Sequence, residues 1–490
     1  MQSYFCKNKA RILAALFFLL IVILALGFHR QVRIMDVLAE KPADGFSVHI
    51  SIWRYTLEPV VGPLLFYLRA NQPVEEFLML MLWTIIGLFI ILQARQRGQN
   101  GLSIARRFLA STLQWLAYIP IVIIIWVGLI LILIYAPLPS NTIDKHDEDA
   151  VLVNAHSHTY YSHDGLISPA KLMRWHKRNG FDAFFITDHN NHAKTLESVA
   201  KQRAGTLPPE PLIICGEEFS GSNHILLLGL TRDFKTRNMA DSTAIDSAHA
   251  QNGVAVIAHW FADKHKTIQH YIDLGADGFE IVNQAEGIRY DQQAIRAIIE
   301  HCRMNNLIML GDCDYHGYGT AALTWNALDI PGWQQLNAEE KTQAIMDIFR
   351  GHQQNKIRVL KYDDRTARSE IVWSPVYTLV DYFRTLNVAQ IISWLFWLIV
   401  LQFVQKVRFI RTMTEWFRAK KYRLASILGT LSSLYVFASG LVLILRAPAL
   451  MGYNEIFMEY GKYFSIGGFL FLLYSTALLL FKGLQSSKKW

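Results

Sequence analysis

Six uncharged apolar runs decide what this chain can fold into. They cover 12–28, 77–94, 113–135, 388–405, 424–445 and 463–481, each close to the ~20 residues a helix needs to cross a bilayer. The third is the most apolar part of an uncharged stretch over 108–143. Runs of this length are seldom buried core helices, so six membrane spans are expected. Lys7, Lys9 and Arg11 precede the first run as they would a signal peptide, but residues 26–29 read Leu-Gly-Phe-His, with no small-residue cleavage site. That run is read as an uncleaved anchor. The balance of 52% hydrophobic against 18% charged residues excludes a disordered chain and is too apolar for an ordinary soluble enzyme. Four cysteines in 490 residues exclude a disulfide scaffold.

The basic residues set the orientation. With the N-terminus inside, the inner segments 1–11, 93–112, 406–423 and 482–490 hold 17 Lys/Arg in 58 residues, and Glu415 is their only acid. The short outer segments 29–76 and 446–462 hold 7 in 65. The positive-inside bias therefore predicts a multi-pass protein of a bacterial inner or plasma membrane, with both termini cytoplasmic. The long segment between the third and fourth spans is then extracytoplasmic. The lipid bilayer is the partner the charge implies: the basic loop 406–423 suits anionic lipid, and no nucleic acid is expected as a stable partner. Three domains follow: a membrane region at 1–140 with an outer loop at 29–76, a water-soluble insert at 141–374, and a second membrane region at 375–490. Within the outer loop, 46–68 mixes apolar residues with Trp53, Arg54, Glu58 and Pro59, which suits an interfacial helix. No span has a charge deep inside it, which counts against ion or proton transport.

The insert has a different texture. Short apolar runs at 150–154, 183–187, 212–215, 225–230, 254–258, 278–282 and 307–310 read as strands. Helices near 169–180, 241–252, 265–274 and 290–305 separate several of them; Ser168-Pro169 supplies an N-cap followed by Pro at N1. Apolar strands alternating with helices indicate a parallel sheet covered by helices, and about eight of them suggest a closed β/α barrel.

Fifteen of the 17 histidines lie between 141 and 370, and many sit where apolar strands end, beside Asp and Glu. His156, His158 and Asp164 follow the first strand, Asp188-His189 the second and Glu217-Glu218 the third. His224 opens the fourth strand, His259 closes the fifth, Glu280 lies in the sixth, and Asp314 and His316 follow the last. In a β/α barrel these strand ends face one mouth. Imidazole and carboxylate without thiolate suit Zn²⁺, Mn²⁺ or Fe²⁺. Nine such groups exceed the four of one tetrahedral ion, so two or three divalent ions are expected. His163, His176, His192, His249, His265, His270 and His301 each read more naturally as surface or core residues.

In order along the chain, HSHTYYSHDG (156–165), TDH (187–189), GEE (216–218) with HILLLG (224–229), VIAH (256–259), FEIVN (279–283) and DCDYH (312–316) resemble the motifs of the PHP superfamily, the polymerase and histidinol phosphatase domain. The resemblance covers roughly 150–320. It implies an α/β fold, a distorted (β/α) barrel of the PHP type, here flanked by a six-helix transmembrane region. It further implies a trinuclear site. His156, His158, Glu218 and Asp314 would hold one metal; Glu218 would bridge to a second held by His224 and His259; Asp164, His189 and His316 would hold the third. Glu218 is preferred to Glu217 because the family pattern reads Gly-x-Glu and a strand turns only one of two neighbours into the mouth. Asp312 is a rival to Asp314, and His163 to Asp164.

Such a site activates water at neutral pH and neutralises charge on a phosphoryl group. A metal-dependent phosphatase or phosphodiesterase follows, acting on a phosphorylated and possibly lipid-linked substrate, since six spans exceed what a tether requires. A related hydrolase of carbamates, esters or amides is the alternative; a non-catalytic scaffold or transporter with a metal-binding domain is another. Arg289, His192 and His265 lie just beyond strand ends and are candidate phosphate contacts or ordinary surface residues. Pairing among Cys215, Cys302 and Cys313 is open.

Overall fold

The computed structural model describes residues 2–69, 73–97, 142–285, 290–317, 321–366, 370–404, 429–449 and 454–487, with isolated positions between 103 and 126 and at 427. Strands β1 (Arg33–Asp36), β2 (Lys41–Pro42) and β3 (Phe46–His49) precede the insert. Within it follow β4 (Thr142–Lys145), β5 (Ala150–Asn154), β6 (Ala183–Ile186), β7 (Leu212–Ser220), β8 (His224–Leu228) and β9 (Val254–Ile257). β10 (Gly278–Asn283), β11 (Ile308–Asp312), β12 (Thr324–Asp329) and β13 (Ile357–Asp363) complete the set. All but β3 and β4, which pair with each other, join one sheet in the order β11-β10-β9-β8-β7-β6-β5-β12-β13-β1-β2.

The expected parallel barrel is a mixed one. β5, β6 and β7 run parallel, as do β9, β10 and β11, but β8 runs antiparallel to both its neighbours. The reason is covalent: residues 221–223 are all that separate β7 from β8, whereas a parallel partner needs a crossover of a dozen residues or more. β12, β13, β1 and β2 then extend the sheet as antiparallel strands. Residues 29–76, expected to be an outer loop, thus supply three strands. They also form a helix over Ile52–Leu68 that breaks at Leu57, two residues before Pro59. Its Glu58 is buried, paired with Arg54 at 3.3 Å and accepting hydrogen bonds from Tyr382 and Gln390, each 2.9 Å.

Strands of the insert are apolar at every position because both sheet faces are covered. In β6, Ala183 and Phe185 point into a core shared with Val153, Ile214, Leu226, Val256 and Leu310, while Phe184 and Ile186 enter an outer layer with Leu172 and Trp325. Helix Ala338–Arg350 closes one end of the inner core with Ile345, Ile348 and Phe349. The other end is the mouth. There the barrel closes by parallel pairing of Ser157 with Tyr315, where His158 N–H donates to Tyr315 O at 2.9 Å and Asp314 N–H to His156 O at 3.0 Å.

Deeper along this seam a side chain replaces the missing ladder. Asn326 accepts from Gly311 N–H at 2.8 Å and donates to Gly311 O at 3.0 Å and to Asp312 Oδ1 at 3.1 Å. Only glycine fits at 311, since a Cβ there would lie 2.5 Å from Val359 Cγ1.

Among the described residues, two helices are long and apolar enough to cross a membrane, Glu75–Ala94 and Gly429–Arg446, or three if Ser374–Arg384 and Val388–Val404, bent by 110°, count as one. This is fewer than the six runs of the sequence. The first run forms Arg11–Gly27, short for a span; most of 113–135 lies outside the described residues; 463–481 falls within helix Glu455–Ser487, which opens with Glu455, Glu459 and Lys462. That helix packs closely on Gly429–Arg446. A Cβ on Gly440 would lie 2.5 Å from Ser465 N, and one on Gly468 2.6 Å from Phe437 N, the small-residue contact typical of helices in lipid.

Asn326→Ala strands two buried backbone groups of Gly311. It is expected to destabilise the protein by about 3 kcal/mol, read as a lower Tm in detergent. An unchanged Tm would mean that backbone pairing at the mouth holds the seam alone.

Candidate metal centre

Local geometry explains why the strand ends converge. His156 and His158 are two apart on an extended segment, so both rings face the same way, and both are fully buried. An isolated parallel bridge between His189 and Glu218 carries the β6–β7 pairing into the mouth. Because β8 runs backwards, its first residue, His224, lies at the same end. Glu217 and Glu218 point to opposite faces of β7: Glu217 pairs with His192 behind the strand, and Glu218 enters the mouth. His259 and Asp314 hold positive φ values of 32° and 45°, a strain that side chains accept where the surroundings fix them.

Three groups of donors result: His156, His158, Glu218 and Asp314; His158, Asp164, His189 and His316; and His189, Glu218 and His224. Glu218 joins them through different oxygens. Its Oε2 lies 3.0 Å from His156 Nε2, 3.1 Å from His158 Nε2 and 3.3 Å from His189 Nε2. Its Oε1 lies 2.6 Å from His224 Nδ1 and 3.2 Å from His259 Nε2. Asp164 Oδ2 is 3.1 Å from both His189 and His316. Separations near 3 Å match the edge of a tetrahedron with metal–ligand distances of roughly 2.0 Å.

Burial disfavours every charge here, yet the groups polarise one another. Despite desolvation, the imidazoles of His189, His156 and His224 hold Glu218 well below the usual carboxylate range. His316 and His189 do the same for Asp164, and His156 and His316 for Asp314. In return, and again against desolvation, the carboxylates push His156 well up and His158 to about 10. Burial pushes His189 down instead, so the set favours ionised carboxylates beside a mixture of charged and neutral rings. Asp314 Oδ1 and His224 Nδ1 are buried and close to other members of the set, at 3.1 Å from His158 Nε2 and 2.6 Å from Glu218 Oε1, without meeting them in hydrogen-bond geometry, as ligands of a shared metal would be. The donor set fits Zn²⁺, Mn²⁺ or Fe²⁺.

Supporting groups orient this set. Glu280 accepts from His156 Nδ1 and from His259 N–H, both at 2.8 Å, and Asn283 bridges Glu280 and Asp314 at 2.9 and 3.1 Å. Asp188 accepts from Thr159 N–H and Oγ1 at 2.5 and 2.6 Å, and His189 Nδ1 lies 3.1 Å from Ser220 Oγ. Of these, sequence reasoning saw only Glu280 and Asp188, as members of the strand-end set; the hydrogen-bonding roles needed the fold.

The remaining expectations divide. Asp312 turns away from the donors and accepts from Ala155 N–H at 2.6 Å, so it holds the β5–β11 seam. His163 sits at the rim, half-exposed, 3.8 Å from Asp164. His192, expected near phosphate, is buried against Glu217 and Phe234 N–H, because helix Ala193–Arg203 starts behind β7 rather than over the mouth. His265 is exposed and pairs with Asp263, outside the donor groups. Arg289 lies outside the described residues. Cys215, Cys302 and Cys313 are buried free thiols, and Cys313 donates to Thr324 O.

The family model of the PHP domain matches residues 154–306, the segment that carries all but Asp314 and His316 of the donors. No curated protein matches the chain. Among solved structures, it is 18% identical to a two-domain protein from Bacteroides vulgatus containing a predicted PHP-like metal-dependent phosphoesterase, covering 46% of this chain and 70% of that one with a TM-score of 0.33. It is 14% identical to an amidohydrolase from Chromobacterium violaceum with bound sulfate and no metal, covering 39% and 96% with a TM-score of 0.29. PsfC from Pseudomonas syringae is also 14% identical, covering 47% and 96% with a TM-score of 0.31. Residues 154–306 of the insert thus match the model of the PHP domain.

His176 illustrates how a histidine near the site serves the fold. It accepts from Asn154 Nδ2 at 2.9 Å, and the same amide donates to His156 O at 3.0 Å. Burial pushes its pKa down from 6.5 to about 3. The stability held by the neutral ring is complete above pH 6.5 and is lost as pH falls toward 3. His176→Gln keeps the acceptor and removes the titration. Its stability between pH 6.5 and 4 is expected to fall less steeply than that of wild type, by up to about 1.4 kcal/mol per pH unit. Parallel acid limbs in a thermal-melt series would sink this reading.

Proposed function

We propose that the chain is a membrane-anchored, metal-dependent phosphoesterase whose PHP domain stands outside the cytoplasm, with both termini inside, and hydrolyses a phosphomonoester or phosphodiester carried by an amphiphile. The observation that carries this is Glu218, which presents one carboxylate oxygen to His156, His158 and His189 and the other to His224 and His259. Two or three divalent ions bound there would lower the pKa of a water and neutralise charge on a phosphoryl group.

The chain's own residues do the rest. His156, His158 and Asp314 would hold one ion with Glu218, His224 and His259 a second through it, and Asp164, His189 and His316 a third. Glu280 fixes two of the rings through Nδ1 of His156 and the backbone of His259. His163, half-exposed at the rim with its ring tilted 4.6 Å from that of His189, is placed to donate a hydrogen bond to an incoming phosphate.

Membrane anchoring is supported by the two helices long and apolar enough to span a bilayer, the small-residue packing of one of them against Glu455–Ser487, and the positive-inside bias. A lipid-linked substrate is supported by the outer end of that helix pair, which packs on loop 160–165 at the lip of the mouth.

The test is hydrolysis by purified protein in lipid nanodiscs, with metal content measured on the same sample. Phosphate release from a lipid phosphate, a soluble monoester and a soluble diester is compared. Bound metal with turnover is expected, favouring the lipid. His156→Ala and Glu218→Ala should each lower turnover at least about a hundredfold. Turnover of soluble esters alone would remove the lipid substrate; metal without turnover of any ester would remove the phosphoesterase.

A further inference from the structure

The loop that carries Asp164 is gripped from outside by the membrane helices. Asn454 sits between 3-10 turn Ala447–Ala449, which continues helix Gly429–Arg446, and helix Glu455–Ser487. It is almost fully buried, at 1% exposure. Its side-chain amide has two hydrogens, and these face Gly165 O at 2.9 Å and Ser162 O at 3.0 Å, with Tyr160 O further off at 3.4 Å. Ile456 N–H adds a bond to His163 O at 3.3 Å. Asn454 Oδ1 faces the other way and accepts from Phe457 N–H at 2.8 Å, capping the helix.

The gripped loop has little freedom inside the domain. Its start is held by Thr159 on Asp188, its end by Leu166 N–H on His316 O at 2.8 Å, and a Cβ on Gly165 would lie 1.9 Å from Thr159 O. Between these ends, Tyr160 N–H donates to Ile167 O at 2.8 Å, Ser162 N–H to Thr159 O at 3.0 Å and Asn191 Nδ2 to Tyr161 O at 3.3 Å, while the carbonyls of Ser162, His163 and Gly165 face Asn454 and Ile456; contact with the donor set runs through Ser162, Asp164 and the rim His163. Ser162 Oγ donates to Asp164 Oδ1 at 2.5 Å, so the stretch whose carbonyls Asn454 binds also sets the carboxylate that meets His189 and His316.

We propose that Asn454 is a positioning residue for the third metal: the membrane helix pair holds the 160–165 loop so that Asp164 completes a site with His189 and His316. This rests on the metallohydrolase reading above. It makes completion of the centre depend on the packing of two helices that lie outside the PHP domain. Outer-sphere groups of this kind typically change metal affinity 10–100-fold.

The experiment uses the full chain in nanodiscs, depleted with chelator and titrated with Mn²⁺, alongside hydrogen exchange of the 160–166 amides. Asn454→Asp keeps an oxygen to cap Phe457 N–H and removes both donors; Asn454→Ala removes cap and donors together; Asp164→Asn is the reference. Asn454→Asp is expected to weaken the last-bound ion at least about tenfold and to speed exchange at 160–166. Combining it with Asp164→Asn should weaken that ion no further than Asp164→Asn alone, since both act on one site. Wild-type affinity for every ion in Asn454→Asp would overturn the proposal, as would unchanged exchange. Faster exchange in a protein whose wild type binds no Mn²⁺, Zn²⁺ or Fe²⁺ would instead overturn the metallohydrolase reading, and the positioning role with it.

Discussion

A single carboxylate, that of the buried Glu218, sits between two sets of imidazoles, and the architecture of the mouth is what makes that tolerable. Burying an unpaired carboxylate costs several kcal/mol, and Asp164 and Asp314 lie in the same volume. Such a cluster persists only if positive charge is always close. The histidines supply it as protons or surrender it to divalent ions, whose binding requires neutral rings. Glu280 and Asn283 keep the rings and Asp314 from swinging out of register, and the positive φ of His259 and Asp314 is the local strain of aiming side chains from strand ends.

The barrel meets this demand by separating its ends. Its interior is apolar and closed at one end by helix Ala338–Arg350, so every polar group along the axis is driven to the other. One reversed strand is enough to bring His224 there. The seam between β5 and β11 is the weak line of such a barrel, because β5 already pairs with β12. Backbone pairing at Ser157 and Tyr315 and the amide of Asn326 close it together, and they do so beside His156, His158 and Asp314. Closing the barrel and assembling the first group of donors are one event.

The strands of the insert were legible because they are short, wholly apolar and end in chemistry-bearing residues. β5, β6, β9 and β10 lie within a residue of their expected limits. The direction of β8 was legible in principle from the three residues before it, since no crossover fits in 221–223. β1 to β4, β12 and β13 were missed: the sheet-edge β1 and β2 are too short to show a period, and β12 (TWNALD) carries Asn326 at a position that only the seam explains. Alternation along a strand told that only one of Glu217 and Glu218 enters the mouth; which one came from the Gly-x-Glu resemblance. His192 could not be placed, because a histidine just past a strand end reads the same whether the chain turns over the mouth or behind it. Six apolar runs read as spans, but among the described residues only two helices, or three with the bent pair, are long and apolar enough to cross a membrane, because length and composition alone do not say which runs form straight helices.

The domain is attached to the apolar helices in more than one place. On one side, Arg30 pairs with Asp363 at 2.7 Å and Arg69 with Asp364 at 2.9 Å, tying the first helices to the end of β13. On the other, Asn454 meets the lip of the mouth. A tether needs one attachment and leaves the domain free to tumble; two separated attachments fix its orientation, since rotation about either one breaks the other. The second attachment falls on the loop bearing Asp164, when any surface of the barrel would serve to hold it down. A hydrolase acting on small soluble esters gains nothing from having its mouth held beside apolar helices, whereas one acting on a phosphate borne by an amphiphile needs the head group and the donors brought to the same depth. On the proposed reading, the geometry of attachment bears on substrate as the donor set bears on the reaction.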